Sequence, residues 1–188
     1  MSLSLRPEDS LVLLIDWQER LVGVMPEDVE PAHRAKAEIL LRAAVAAGVP
    51  VIATEQYPKG LGPTVESLAL ALDSAEEPPP RIPKRDFAAT EVPEVNELLE
   101  AHDRSEIVVV GMESHICVWQ TVRALTERGY GVHVPRDAVV SRRRADYEAA
   151  LSLYLNAGAV VTSVETVVFD WVRRAEGPVF KAVSKLVR

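Results

Sequence analysis

Apolar residues in this chain alternate between short unbroken runs and longer segments with helical spacing. The unbroken runs are typical of strands buried on both faces of a sheet, and they cover residues 11–15, 49–54, 106–111, 131–135 and 159–164. Helical spacing predicts helices over residues 31–47, 64–72, 92–101, 117–128 and 143–157, followed by two short helices near 165–174 and 178–187. A weaker strand is predicted over 81–84, inside a proline-rich stretch (56–90) that otherwise predicts long loops.

Strands that alternate with helices indicate βαβ units, which form a parallel sheet with right-handed crossovers. We therefore predict an α/β fold with three layers: a doubly wound, mainly parallel sheet with helices on both faces. The expected strand order is 3-2-1-4-5. A length of 188 residues fits one domain, so residues 1–188 are expected to form a single domain.

Composition narrows the class of protein. The chain has 48% hydrophobic and 26% charged residues, which are values of a globular protein and not of a disordered one. Its net charge of −7 argues against a nucleic acid partner, because phosphate binding requires a basic face. The longest uncharged stretch, 149–164, is too short to span a membrane, so no membrane partner is expected.

The cysteine content and the N-terminus indicate a cellular location. Cys117 is the only cysteine, so no internal disulfide can form, which fits a reducing compartment. Residues 1–9 lack the charged-then-apolar order of a secretory signal. We therefore expect a cytoplasmic protein.

The predicted topology brings reactive residues together. Ligands of doubly wound sheets bind at the carboxyl ends of the strands where the strand order reverses, here between the first and fourth strands. Asp16 ends the first of these strands, and Cys117 follows the fourth after a short turn and begins a helix. A helix start stabilises a thiolate, whereas a nearby carboxylate raises the pKa of a thiol. A cation is therefore needed, and Lys84 in the loops over the same edge is the candidate.

Each of these three residues also has an ordinary structural interpretation. A lone cysteine is often only a small buried apolar side chain. An aspartate after a strand can cap the next turn, and a lysine is most often solvated. The residue types alone leave these alternatives open.

Three segments resemble the signature segments of the isochorismatase-like cysteine hydrolases, a superfamily that includes nicotinamidases and carbamoyl-amide hydrolases. They are LLIDWQ (13–18), Pro83-Lys84 with Phe87, and GMESHICVWQT (111–121), and they occur in the family's order. The segment TEQYPKGLGPT (54–64) further resembles the isochorismatase domain-containing branch, whose substrates are poorly defined.

The resemblance implies that Asp16, Lys84 and Cys117 form a catalytic triad. It also implies a cis peptide bond between Met112 and Glu113. In the family this bond directs the backbone amide of the second residue, here Glu113, alongside that of the cysteine, here Cys117, to form an oxyanion hole.

Two departures from the family pattern restrict the chemistry. Nicotinamidases have a metal site of the form Asp-x-His plus a second His after the second strand, whereas residues 54–58 contain no histidine. The four histidines show no ligand spacing, so no metal and no other cofactor is expected. Members that cleave isochorismate typically lack the cysteine, so Cys117 favours covalent acyl chemistry.

Further residues near these segments are candidates for contact with a substrate. Gln18, Tyr57 and Phe87 are the candidate substrate-binding residues, and Trp119 is a weaker one, since aromatic residues beside core strands more often pack. His115 lies two residues before the cysteine, and the family accepts it as a structural turn residue; a role as base is the lesser alternative.

We therefore expect a cofactor-independent hydrolase that cleaves a small amide or ureido C–N bond through a thioester on Cys117. The alternatives are vinyl-ether hydrolysis of the isochorismate type, and a non-catalytic binding module of doubly wound fold. The family also implies a homo-oligomer, a dimer or tetramer. Phe169, Trp171 and Phe180 offer an interface for it, or else pack on the chain's own sheet.

Overall fold

The structure is a computed structural model that describes residues 4–187. The first three residues of the N-terminal stretch considered above, and residue 188, lie outside the described residues. The strands in the described range are β1 (Ser10–Ile15), β2 (Val51–Gln56), β3 (Arg81–Lys84), β4 (Glu106–Met112), β5 (Gly131–Pro135), β6 (Val139–Val140) and β7 (Val160–Thr162). The α-helices are α1 (Glu19–Val22), α2 (Glu30–Ala47), α3 (Pro58–Leu61), α4 (Glu66–Leu72), α5 (Pro93–His102), α6 (Trp119–Glu127), α7 (Arg144–Asn156), α8 (Val164–Val172) and α9 (Gly177–Leu186).

These seven strands form one parallel sheet in the order β3-β2-β1-β4-β5-β7, with β6 paired to the end of β4. The predicted order is confirmed, and so is the weak strand over 81–84. The register places Ile15 opposite Thr54 of β2 and opposite Gly111 of β4. The residues that follow β1, β2 and β4 therefore lie together at the carboxyl edge of the sheet, where these parallel strands end.

Side-chain alternation divides the core between the two faces of the sheet. Val12 and Leu14 of β1 belong to a cluster with α2, α4, α8 and α9. Leu11, Leu13 and Ile15 belong to a second cluster with α5, α6 and α7. The predicted α/β architecture of three layers is thereby confirmed, and both faces of β1 are buried.

The helix predicted to begin at Cys117 begins earlier. Residues Ser114–Val118 form a wide π-helical turn that continues into α6, because the Glu113 carbonyl accepts hydrogen bonds from the N–H groups of Ile116 (3.0 Å) and Val118 (3.3 Å). Cys117 is therefore the fourth residue of the helical run and not its first. Its N–H still belongs to the first four of the run, which are the ones that lack partners inside a regular α-helix.

The strand predicted over 49–54 lies two residues later, at Val51–Gln56. The other differences concern short elements: α3 lies in the stretch predicted as long loops, and no element was predicted where α1 and β6 lie. Elements this short carry no periodic signal, because four residues barely complete one helical turn.

The C-terminal aromatic residues are divided between the core and the surface. Trp171 is buried, and its Nε1 donates a hydrogen bond to Ser10 Oγ (3.0 Å), so it packs on the chain's own sheet. Phe169 remains 38% exposed. No helix in residues 4–187 is both long and apolar enough to cross a membrane.

Candidate active site

A buried ion pair lies at the carboxyl edge of the sheet. Lys84 Nζ, at the end of β3, is 2.6 Å from Asp16 Oδ2, directly after β1, and both side chains are inaccessible to solvent. A buried ammonium is stable only beside a countercharge, so we describe both groups as ionised. Apart from this contact, Oδ2 has no hydrogen-bond partner among the described residues.

Three further oxygen atoms surround the Lys84 ammonium. Its Nζ donates to Gln56 Oε1 (2.6 Å) and lies within hydrogen-bonding distance of the carbonyls of Phe87 (3.0 Å) and Asp86 (3.2 Å). An ammonium group has three protons, so these contacts and Asp16 occupy all of them. Lys84 therefore acts here as a fixed positive charge.

The other carboxylate oxygen of Asp16 is held from β2. Thr54 Oγ1 donates a hydrogen bond to Asp16 Oδ1 (2.8 Å), and the Asp16 backbone N–H donates to the Thr54 carbonyl (3.2 Å). The Asp16 side chain does not cap the following turn, because the Gln18 N–H donates to the Asp16 backbone carbonyl and not to its carboxylate. The carboxylate is thus oriented by β2 and Lys84 together.

The Cys117 thiol completes the cluster. It is 7% exposed and lies within hydrogen-bonding reach of both Asp16 and Lys84. Thr121 fastens the turn that carries it: Thr121 Oγ1 donates to the Cys117 carbonyl (2.7 Å) and accepts from the N–H of Ala89 (2.9 Å), in the segment after Lys84. The structure thus brings together the three residues that sequence analysis singled out.

Burial controls the protonation of this cluster. It raises the pKa of the Cys117 thiol to about 12, with a further contribution from the Asp16 carboxylate and an opposing one from Lys84. Burial likewise raises the pKa of Asp16, against the charge and hydrogen bonds of Lys84. At neutral pH the resting thiol is therefore neutral, and the Asp16 carboxylate that is paired with Lys84 lies beside it as an acceptor for its proton.

Gly111 allows β4 to approach β1 closely at this edge. Its φ is 134°, and a Cβ at this position would collide with the Ile15 carbonyl oxygen. A side chain here would push apart the two strands whose ends carry Asp16 and the Cys117 turn. The peptide bond between Met112 and Glu113 is cis, as the family resemblance implied.

Glu113 is held firmly in the turn before Cys117. Its carboxylate oxygen Oε2 accepts from the N–H (3.1 Å) and Nε (2.9 Å) of Arg142, and its carbonyl caps the π-helical turn. Within residues 4–187 its own N–H donates no hydrogen bond. This amide is free to bind an oxygen atom of a ligand.

The residues suggested for substrate contact have different environments. Gln18 is buried, and its amide is fully engaged: Nε2 donates to the carbonyls of Gln56 (3.1 Å) and Gly62 (2.6 Å), and Oε1 accepts from Gln56 N–H (2.7 Å). Tyr57 is 43% exposed, and its ring lies close to Gly60. The Arg85 guanidinium lies 4.4 Å from the centroid of that ring. Gln18 therefore holds the loop at Gly62 against the end of β2, and the Tyr57 side chain lies at the protein surface.

Phe87, His115 and Trp119 complete the set of residues named from the sequence. Phe87 is 51% exposed, and its carbonyl contacts Lys84. The ring nitrogens of His115 lie near Ser141 Oγ (2.9 Å) and Asp146 Oδ2 (3.9 Å), which are contacts of a structural turn residue. Trp119 packs beside Tyr154.

Two residues of the site were missed by sequence analysis, Thr54 and Gln56. Both end β2, and their i, i+2 spacing places them on one side of that strand, where they contact Asp16 and Lys84. The sequence signal that could have identified them is a pair of polar residues at alternate positions at the end of a strand.

Other potential sites are separate from this cluster. A surface pocket of about 560 Å³ lies near the starts of β2 and β4 and contains none of the three residues. Within residues 4–187 no group of three or more His, Cys, Asp or Glu side chains is placed to hold a metal ion.

Comparison with known proteins agrees with the fold. The isochorismatase domain profile matches residues 10–166. The chain is 37% identical to isochorismatase domain-containing protein 2 of Xenopus laevis, over 95% of this chain and 83% of that protein. The chain belongs to the isochorismatase family.

Solved structures share the same fold. The MAR1 ribonuclease of Caenorhabditis elegans superposes with a TM-score of 0.90 at 34% identity, covering 98% of this chain and 92% of that one. The Escherichia coli YcaC gene product, described as an octameric hydrolase of unknown specificity, has a TM-score of 0.88 at 21% identity, covering 99% and 90%. At that identity the second likeness concerns the fold alone.

Proposed function

We propose that this protein is a cofactor-independent hydrolase of small amide or ureido C–N bonds, with Cys117 as its nucleophile. The observation that carries the proposal is the buried Asp16–Lys84 ion pair within hydrogen-bonding reach of the Cys117 thiol. A nucleophile, a base and a third group that orients the base form the arrangement that covalent catalysis requires.

The first half of the reaction forms a thioester. Asp16 Oδ2 accepts the thiol proton while Cys117 Sγ attacks the carbonyl carbon, which gives a tetrahedral oxyanion. As this intermediate collapses, the C–N bond breaks and Asp16 returns the proton to the departing nitrogen. Ammonia or an amine leaves, and the acyl group remains on Cys117.

The second half uses the same groups on water. Asp16 accepts a proton from water as its oxygen attacks the thioester carbonyl. The C–S bond then breaks, the acid product leaves, and the Asp16 proton returns to Cys117 Sγ. Each group ends in its starting protonation state, and the net reaction is hydrolysis.

The oxyanion is proposed to bind the backbone N–H groups of Glu113 and Cys117. The Glu113 N–H donates to no other group in the described residues, and the carbonyl and carboxylate of Glu113 are fixed by other contacts. Donors fixed before the reaction stabilise a developing charge without reorganisation, and losing one such donor typically costs about 10²–10³-fold in rate.

Lys84 offsets charge in this scheme. Its positive charge stabilises the Asp16 carboxylate in the resting state and the negative sulfur when the proton moves. The half-exposed side chains of Tyr57 and Phe87, beside Lys84, are proposed to contact the substrate. Gln18 is proposed to act indirectly, through the loop that it holds.

The test is ammonia release from a panel of small primary amides and ureido acids, measured for the wild type and Cys117→Ala together. Thiol-dependent release, with a covalent adduct on Cys117 detected by mass spectrometry, supports the proposal. Activity that survives Cys117→Ala contradicts it. Pyruvate release from isochorismate that does not need the thiol would instead indicate vinyl-ether hydrolysis, and an RNA substrate serves as a control because a relative is named a ribonuclease.

We also propose that the protein is cytoplasmic and self-associates. A reducing compartment keeps the single thiol reduced, as the mechanism needs. Phe169 on α8 and Leu155 on α7 leave apolar surface exposed, and the related YcaC is described as octameric. Cell fractionation and light scattering test these two statements.

A further inference from the structure

The end of β2 lies between the two charged members of the site. β2 pairs with β1 on one side, where Thr54 lies opposite Ile15, and with β3 on the other, where Gln56 lies opposite Lys84. Thr54 contacts Asp16, and Gln56 contacts Lys84. Both of these side chains are neutral, although they touch charged groups.

Gln56 is held at each of its polar groups. Its Oε1 accepts from Lys84 Nζ (2.6 Å), and its Nε2 donates to the Arg85 carbonyl (2.8 Å), in the residue after Lys84. Its backbone N–H and carbonyl are both bound by the amide of Gln18. The contacts with Arg85 and Gln18 therefore fix the position of Gln56 independently of its contact with the Lys84 ammonium.

The neutrality of Gln56 has an electrostatic consequence. Four oxygen atoms lie within 3.2 Å of Lys84 Nζ, and within the described residues only Asp16 contributes a charged one. A glutamate has nearly the same size and shape as glutamine, and it would place a second carboxylate on the same ammonium. Lys84 would then have no surplus positive charge to stabilise sulfur as the thiol loses its proton.

We propose that Gln56 is a positioning residue of this site: its neutral amide fixes the Lys84 ammonium without neutralising it. The inference rests on the proposed role of Cys117 as nucleophile. Gln56 touches no reacting atom, and it acts through Lys84.

Several charged groups surround the thiol, and the experiment must separate them from Gln56. Asp16 and Lys84 face it from β1 and β3. The turn of Cys117 itself carries Glu113, which is paired with Arg142, and His115, which lies beside Asp146. The substitutions below leave all of these groups in place.

The experiment measures the rate of Cys117 alkylation by iodoacetamide from pH 5 to pH 9 in the wild type, Gln56→Glu and Gln56→Met. We expect Gln56→Glu to react about tenfold more slowly than the wild type at pH 9, as it would if the thiol pKa rose by about one. The deficit should exceed that of Gln56→Met, because the methionine removes the hydrogen bonds of the amide without adding a negative charge beside Lys84. Gln56→Met should react more slowly by a factor that is the same at every pH.

The matched control is Glu55→Gln, one residue earlier on the opposite side of β2. Glu55 Oε1 accepts from the N–H (2.7 Å) and Oγ1 (2.8 Å) of Thr64 and does not contact Lys84, so this change should leave the alkylation profile within about twofold of the wild type. Circular dichroism checks that each variant is folded, and Gln56→Met keeps the test usable if Gln56→Glu does not fold.

Two results would overturn the inference. One is a deficit in Gln56→Glu no larger than that in Gln56→Met, since a packing role alone predicts that. The other is an equal deficit in Glu55→Gln. Neither result depends on a substrate: loss of amide hydrolysis in Cys117→Ala tests the proposed function separately, and iodoacetamide profiles test Gln56 even where no amide is cleaved.

Discussion

The burial of Asp16 and Lys84 is the dominant feature at the scale of single residues. Two opposite charges removed from water depend on one another, since the loss of one leaves the other without a partner in a medium of low polarity. A purely structural core position would hold apolar side chains instead, and these typically give equal or greater stability. The pair is therefore best explained by chemistry that needs both charges.

Asp16→Asn is expected to destabilise the fold as well as abolish hydrolysis. Removal of one partner from a buried ion pair typically costs about 3–5 kcal/mol, because the remaining charge is uncompensated. Urea unfolding measures this cost. Glu148→Gln is the matched control, because its partner Arg144 lies at a similar distance (2.7 Å) but both side chains are exposed, and no measurable change is expected there. Equal stabilities of Asp16→Asn and the wild type would contradict the ion-pair description.

The raised pKa of Cys117 predicts a dependence of stability on pH. The folded state holds the thiol proton up to about pH 12, whereas the ordinary value is 9.0, so the stabilisation is complete below pH 9 and declines as pH rises from 9 towards 12. The difference in unfolding free energy between the wild type and Cys117→Ala should therefore fall by roughly 1.4 kcal/mol per pH unit in that window. Urea titrations at pH 8, 9 and 10 measure it, and parallel curves for the two proteins would disprove the shift.

At the scale of secondary-structure elements, the site depends on the short distances between the ends of neighbouring strands. Asp16 directly follows β1, its contact Thr54 and the Lys84 contact Gln56 end β2, and Lys84 ends β3. β4 leads into the turn of Cys117. Each element contributes only one or two polar groups. Adjacent strands lie about 4.8 Å apart, so groups at their ends meet without further elements.

Gly111→Ala tests the close approach of β4 to β1. An added methyl group would overlap the Ile15 carbonyl oxygen, which is backbone and cannot rotate away. Gly129→Ala is the control: Gly129 also has a positive φ, of 89°, but open space around it, so its cost should be only the conformational one of about 1–2 kcal/mol. Denaturant unfolding should show the larger loss for Gly111→Ala, together with slower alkylation of Cys117, and equal losses would rule out the steric explanation.

At the scale of the whole molecule, charge and exposed apolar surface determine what the protein contacts. A net charge of −7 disfavours polyanionic partners, and the side chains of Phe169 and Leu155 leave apolar surface on α8 and α7. Exposed apolar side chains of this kind, where several occur on one molecule, often mark surfaces between subunits.

Light scattering over a range of concentrations should give a mass that is a multiple of 20.6 kDa. Phe169→Glu places a charge in the proposed contact and should lower that mass, because an unpaired charge is costly to bury. A strict monomer at every concentration would show that the exposed apolar residues form no self-association surface. An unchanged mass in Phe169→Glu would place the contact elsewhere.

The sequence by itself determined the architecture and the residues with reactive groups. Unbroken apolar runs and helical spacing are local properties, so the layers and the order of strands follow from them, and the topology of a parallel sheet brings Asp16 and Cys117 to one edge. Only the tertiary structure decided which neutral side chains bind the charged groups, as Gln56 binds the Lys84 ammonium. It also decided that the Gln18 amide binds backbone groups. Such contacts join residues 28–38 positions apart and depend on distances of a few ångströms, which no local pattern encodes.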